Sequence, residues 1–258
     1  MFGLSTIRLI IIAVIILITG CDDGRDLYPD SNTNIKDQLE WQRTFYFKRI
    51  EEFKKRPIGR DKIVFLGNSI TKGGGDWSKR FNAENIVNRG ISGDYTNGIL
   101  NRLEEIIHYQ PVAVFLMIGI NEFWSDNSDR HHITPKHVAD KIIKICRRIK
   151  ERSPLTEVFI QTILPVNNEQ YLEVKKVDYN FLLPGYSPTV NKQVSNTNST
   201  LKKNGEFRVI DLHTLFLNDE SILDTTLSSD GIHINEKGYE TWVSAIRPII
   251  DRLNQQNI

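Results

Sequence analysis

Cysteine is nearly absent: Cys21 and Cys146 are the only two in 258 residues. That scarcity offers no disulfide framework, so the fold must stand on its apolar core. Charge of one sign is also absent, with 33 basic against 32 acidic residues and a formal net charge of +1. No basic patch with interleaved aromatics makes up for this, so nucleic acid is not an expected partner. The glycine run Gly73-Gly74-Gly75 lacks the Walker A order, because Lys72 precedes the glycines instead of following them. His131, His132 and His137, with Asp126 and Asp129, lack the spacing of a zinc motif, so neither a metal nor a cofactor is implied. No internal repeat and no linker-like stretch interrupts residues 37–258, and one domain is expected there.

What is present begins with a short apolar run, Leu9–Thr19. A membrane-spanning helix needs about 20 such residues, whereas a secretory signal needs fewer. Ile18-Thr19-Gly20-Cys21 resembles a bacterial lipobox. Residues 1–20 therefore read as a lipoprotein signal peptide and Cys21 as the lipidated new N-terminus. The expected location is the cell envelope, with the membrane reached through that anchor. Residues 21–36 are polar, with Pro29 and Ser31, and read as a flexible tether. Cys146 falls in the apolar rhythm Val138, Ile142, Ile143, Ile145, Ile149 and reads as a buried helix residue.

Strand and helix patterns then alternate. A helix is expected over about Asp37–Arg56, and strands over Lys62–Gly67, Glu84–Asn88, Val112–Ile118, Glu157–Leu164 and Phe207–Leu212. Between them, Asp94 is expected to cap a helix carrying Ile99, Leu103 and Ile107, and Thr134-Pro135 to open another. Ser187–Lys203 reads as a polar helix, and Asn235 as the cap of the last one. Apolar strands separated by helices indicate a parallel sheet covered on both faces. The stretch Asn167–Tyr186, with Tyr171, Tyr179, Phe181 and Tyr186, reads as a long substrate loop.

Four segments carry chemistry. Gly67-Asn68-Ser69 puts a serine at the end of the first strand, where open α/β sheets present reactive groups. Asp230-Gly231-Ile232-His233 spaces a carboxylate so that it can reach one imidazole nitrogen and leave the other as a base. The amide of Asn121 follows the third strand, and the N–H of Gly93 lies in the loop after the second. With the N–H of Ser69, these donors suit a tetrahedral oxyanion. Arg89 and Trp124 flank the donor segments and are candidates for the pocket wall.

In this order, the four segments resemble the SGNH (GDSL-type) hydrolases, over about residues 61–250. The resemblance implies a flavodoxin-like three-layer α/β/α sandwich with a five-stranded parallel sheet. It gives Ser69 the nucleophile role, Asp230 and His233 the rest of a triad, and Ser69, Gly93 and Asn121 the oxyanion hole. Asn68 stands where the family usually has Asp before the serine, and Glu122 where it usually has Asp after the asparagine. Ile160–Asn167 resembles the acetylhydrolase and sugar-esterase branches. The expected partner is a small ester, foremost an acetylated glycan. A lysophospholipid, other lipid ester or thioester is the enzymatic alternative, and a non-catalytic glycan-binding surface lipoprotein is the alternative of another class.

Overall fold

A computed structural model describes residues 26–124 and 132–255. Its centre is one parallel sheet built from β1 (Ile63–Gly67), β2 (Ile86–Gly90), β3 (Ala113–Met117), β4 (Glu157–Gln161) and β5 (Arg208–Ile210), in the order β2-β1-β3-β4-β5. β1 and β3 are buried at every position, which explains why their sequences are continuously apolar. Because side chains alternate across a strand, one face collects Val64, Leu66, Val114, Leu116 and Ile160. The opposite face collects Ile63, Phe65, Phe115 and Phe159. Register puts Phe65 opposite Phe115 and Phe115 opposite Phe159. Their rings stack in a row at 5.2 and 4.7 Å, extended by Trp77 at 4.4 Å from Phe65.

Helices Pro135–Arg152 and Val190–Lys202 cover the aliphatic face, and Glu236–Gln255 covers the aromatic one. The result is the three-layer α/β/α arrangement. The chain steps outward from β1 to β2 and then returns across β1 to β3, so connections diverge between β1 and β3. Ligand crevices in open α/β sheets form at such a divergence, beyond the carboxyl ends of the strands.

Four expectations need correction. The stretch read as a flexible tether is pinned to the fold at two of its described positions: Ile35 is buried among Tyr46, Ile50 and Tyr95, and Tyr28 Oη donates to Glu105 Oε1 at 2.8 Å, while most of the residues between them are exposed. Two apolar anchors outweigh the polar composition around them. The helix after Asp94 is two helices, Thr96–Asn101 and Leu103–Tyr109, broken at Arg102, and its N-cap is Tyr95. Asn167–Tyr186 is not a loop: Asn167 caps a helix, Asn168–Lys175, through its side chain on Gln170 N–H, and a 3₁₀ turn follows at Asn180–Leu182. That helix buries no residue, so it has no apolar face for periodicity to reveal. The fourth strand ends at Gln161 instead of Leu164. By contrast, Cys146 is wholly buried as expected, and burial pushes its thiol well above the usual range. Cys21 and the apolar run before it lie outside the described residues.

Candidate active site

The loops after β1, β2 and β3 meet at the carboxyl edge of the sheet. Ser69 opens the short helix Ser69–Gly73 directly behind β1. The preceding Asn68 accepts the Ile70 N–H on its side chain at 3.0 Å, which fixes the turn. Gly67 permits this approach because a Cβ there would lie 2.2 Å from Thr71 Oγ1 and 2.4 Å from Met117 O. Asn68, the departure from the usual family residue, is therefore a turn-forming acceptor.

His233 Nε2 lies 3.0 Å from Ser69 Oγ, and His233 Nδ1 lies 2.9 Å from Asp230 Oδ2. An ionised carboxylate only accepts, so Nδ1 carries the proton and Nε2 is the acceptor for the serine hydroxyl. The chain Ser69–His233–Asp230 is thus continuous. Asp230 Oδ1 also accepts the backbone N–H of His233 at 2.7 Å and of Ile232 at 3.2 Å. Lys175 Nζ sits 2.8 Å from Asp230 Oδ2. Burial works to raise the Asp230 carboxyl, but hydrogen bonds from His233 and Lys175 outweigh it and hold the group well below the ordinary carboxylate range.

Ser228 was not singled out in the sequence. Its Oγ accepts the Gly231 N–H at 2.7 Å and donates to His233 O at 3.1 Å, which folds the Asp-Gly-Ile-His turn. A serine two residues before the aspartate is the local signal for such a turn.

On the facing side, Gly93 adopts φ +75, in the left-handed region, and a Cβ there would meet Trp41 at 2.6 Å. Asn121, behind β3, donates one amide N–H to Asp94 O at 2.7 Å. Only its second N–H remains for a ligand. Asp94 itself is no helix cap. Its Oδ2 receives Arg102 Nε at 3.0 Å and Nη2 at 2.8 Å, and the same Nη2 donates to Gly67 O at 3.1 Å. Burial pushes Asp94 up to about 6 against the pull of Arg102. The capping task falls to Glu122, whose Oε1 accepts the Thr96 N–H at 2.7 Å. Burial raises Glu122 to about 7, with Thr96 opposing.

Ser69, Gly93, Asn121 and His233 line one cleft of about 510 Å³. Its walls are Trp41 on one side and Trp124, Tyr171, Tyr179 and Phe181 on the other. Trp124 meets Tyr171 edge-on at 4.7 Å and Phe181 at 5.7 Å. Trp41 comes from the helix Glu40–Lys55, which sequence reasoning had not connected with the site. Arg89 is not part of the wall. It is buried in a two-point pair with Glu105 at 2.9 and 2.8 Å, behind the cleft. His213 Nδ1 donates to Ile163 O at 2.8 Å and is structural. His131, Asp126 and Asp129 lie outside the described residues, and among the described residues no group of three His, Cys, Asp or Glu could hold a metal.

Comparison with known proteins bears on the family and the fold. A model of the GDSL-like lipase/acylhydrolase family matches residues 65–241. The human platelet-activating factor acetylhydrolase IB subunit alpha1 is 24% identical over 202 residues, which span 76% of this chain and 78% of that protein. A GDSL-like lipase from Bacteroides thetaiotaomicron superposes with a TM-score of 0.63 at 18% identity, covering 80% of this chain and 97% of its own. An acetylxylan esterase from Geobacillus stearothermophilus gives a TM-score of 0.55 at 19% identity, covering 74% and 95%. At these identities, the two structures speak for the shared fold.

Proposed function

The chain belongs to the GDSL-like lipase/acylhydrolase family, as an SGNH-type ester hydrolase, and from that premise we propose that Ser69, His233 and Asp230 are its catalytic triad and an O-acetylated carbohydrate its substrate. The observation that carries the triad is the unbroken chain of contacts from Ser69 Oγ through His233 to Asp230, at 3.0 and 2.9 Å, inside a cleft. Ser69 Oγ attacks the acyl carbon while His233 Nε2 takes its proton. His233 then returns that proton to the leaving alcohol. Asp230 holds the imidazole orientation and offsets the charge it gains. The Ser69 and Gly93 N–H groups and the second N–H of Asn121 receive the oxyanion. Water, deprotonated by the same imidazole, hydrolyses the acyl-enzyme.

Two features support an acetyl group on a sugar. The human relative is named an acetylhydrolase and the Geobacillus structure an acetylxylan esterase, two different alcohols sharing one small acyl group. The cleft walls are aromatic, and flat aromatic faces suit the apolar face of a sugar ring. A second reading, a lipid ester, is favoured by the exposed rim residues Leu39 and Trp41, at 45% and 51% exposure. Initial rates on p-nitrophenyl esters of increasing chain length, beside acetate release from acetylated polysaccharide, separate the readings. Acetate preference with polysaccharide turnover is expected. Rates rising with chain length would move the assignment to lipid esters, and no turnover of any ester would leave a glycan-binding domain.

The proposal includes the envelope anchor. Cys21 is lipidated and the domain is held at a membrane, in keeping with Ile18-Thr19-Gly20-Cys21. Among the described residues no helix is long and apolar enough to cross a membrane. Cys21→Ser should move the protein from the membrane to the soluble fraction or stall its processing; unchanged fractionation would remove this part of the reading.

A further inference from the structure

The helix Glu40–Lys55 is a ruler across the domain. It has 16 residues, so it is about 24 Å long at 1.5 Å per residue. Trp41, at its start, forms one wall of the Ser69 cleft. Its far end enters the sequence Lys54-Lys55-Arg56-Pro57-Ile58-Gly59-Arg60-Asp61-Lys62, which leads into the first residue of β1. Basic residues and cleft therefore sit at opposite edges of the sheet. This nine-residue run carries five of the chain's 33 basic side chains and a single acid, in a protein otherwise close to neutral. Lys54, Lys55, Arg56 and Arg60 are exposed and Lys62 is half-buried. Among the described residues, Lys55, Arg56, Arg60 and Lys62 form no salt bridge, whereas Lys54 is held by Glu51 at 2.8 Å. Lys55, Arg56 and Lys62 also line a groove of about 710 Å³ that runs along the open edge of β2.

The N-terminal segment enters the fold at the same edge. Tyr28 Oη is fixed on Phe53 O at 3.3 Å and Glu105 Oε1 at 2.8 Å. Glu105 Oε1 in turn accepts the Ile58 N–H at 3.1 Å, inside the basic run. Leu27 lines one hollow with His108 and Arg152, where two further helices end. From Tyr28 back to Cys21 is seven residues, a reach of roughly 25 Å at full extension. That reach is ample to set the basic edge on a bilayer. To turn the cleft onto the bilayer, the same segment would have to spend nearly all of that reach running back along the ruler helix, about 24 Å long.

We propose that the basic edge, Lys54–Lys62, docks on an anionic phospholipid surface and turns the Ser69 cleft away from the membrane. The proposal rests on the anchor at Cys21 and sharpens the substrate reading, since a cleft facing away meets polymer before it meets bilayer lipid. The attraction is electrostatic: several cations that form no salt bridge among the described residues lie within a Debye length of the surface, about 10 Å at 0.1 M salt. Glu51 is taken up by Lys54 and Glu52 by Arg49, while Asp26, Asp30, Asp61 and the groove-lining Asp76 border the patch and limit its strength.

The full-length protein itself supplies probes for both edges. Two of its four tryptophans, Trp41 and Trp124, line the cleft, while Trp77 and Trp242 are buried in the core. Quenching of tryptophan emission by brominated phosphatidylcholine thus reports whether the cleft faces lipid. Acetylation rates of Lys54, Lys55 and Lys62, read by mass spectrometry, report on the basic edge. With vesicles of phosphatidylcholine containing about 30% phosphatidylglycerol, the lysines should react about tenfold more slowly than with phosphatidylcholine alone, and about 0.5 M NaCl should reverse this. Tryptophan emission should remain unquenched in both. The triple variant Lys55→Glu, Arg56→Glu, Lys62→Glu should lose the lipid-dependent protection of Lys54 while its turnover of p-nitrophenyl acetate in solution stays unchanged. If that variant fails to fold, the lipid and salt dependence of the parent protein still decides. Quenched tryptophan, or lysine rates indifferent to phosphatidylglycerol, would overturn the proposal. Loss of esterase turnover in the parent protein would instead remove the catalytic reading and leave the docking result standing.

Discussion

The two halves of the cleft are held by different physics. The Ser69–His233–Asp230 half is organised locally. Asp230 is tied to residues two and three positions away, and Ser228 folds the same turn. Among the described residues, its long-range charge partner is Lys175. The Gly93–Asn121 half rests on buried ionic groups from separate elements. Arg102 joins Asp94 to the end of β1, and Glu122 receives the first N–H of the helix after β2. Arg102 and Asp94 side chains are 3% and 0% exposed, so their charges cannot fall back on water. A locally wound turn tolerates change in its surroundings, whereas a buried ionic joint fails as a unit.

The largest expected effect lies in the first half. Ser69→Ala should lower kcat on an activated acetate ester by about 10⁴–10⁶-fold with an unchanged fold, because the covalent route is lost. Steady-state rates and circular dichroism check this; a folded variant with near-parent kcat would end the nucleophile assignment. Next comes the ionic joint. Arg102→Leu leaves Asp94 buried without its partner and should cost about 3–5 kcal/mol of stability, read as a shift of the urea midpoint. A midpoint within error of the parent would mean that the joint is not what holds this half together. Asn121→Ala should lower kcat by about 10²–10³-fold with little change in KM, since the lost donor serves the transition state. Because Asn121 also donates to Asp94 O, a loss of stability alongside the loss of kcat would show that its two roles are inseparable.

The contrast also explains what was legible in the sequence. Asp230 and His233 are three residues apart, and Ser69 and Asn121 follow continuous apolar strands, so spacing pointed to each piece, and the resemblance to the SGNH hydrolases implied that the pieces share one site. The five strands and their order of appearance followed from the same runs. Partners that act across the chain left no such mark. Arg102 sits in an apolar helical rhythm and looks like a solvent-facing residue, yet it breaks that helix to reach Asp94 and Gly67. Lys175 lies on a helix with no buried face, so neither the helix nor its contact with Asp230 had a pattern to announce it. Trp41 reaches the cleft from the first turn of a helix whose buried apolar residues, Tyr46, Ile50 and Phe53, lie on another part of its sequence, so nothing in the pattern marked it.

The smallest expected effect tests the second half by pH. Glu122 is buried and its folded value, about 7, lies above the ordinary 4.5. The folded state therefore binds this proton more tightly than the unfolded chain does. Stability from the group is fully present below pH 4.5 and is lost as pH rises through about 7. Glu122→Gln keeps an oxygen for the Thr96 N–H and removes the titration. The variant should thus gain stability relative to the parent as pH rises across that window, by less than about 3 kcal/mol. Asp94, also raised by burial, stays in place and leaves a residual slope of the same sign in both proteins. Asp230 is depressed, so its contribution has the opposite sign, is present above the ordinary carboxylate value and fades only as pH falls below the window. Urea midpoints of parent and variant, measured from pH 5 to pH 8, read the difference directly. Parallel curves would mean that Glu122 is ionised throughout, and that the replacement of the usual aspartate brings no proton into the joint beneath Asn121.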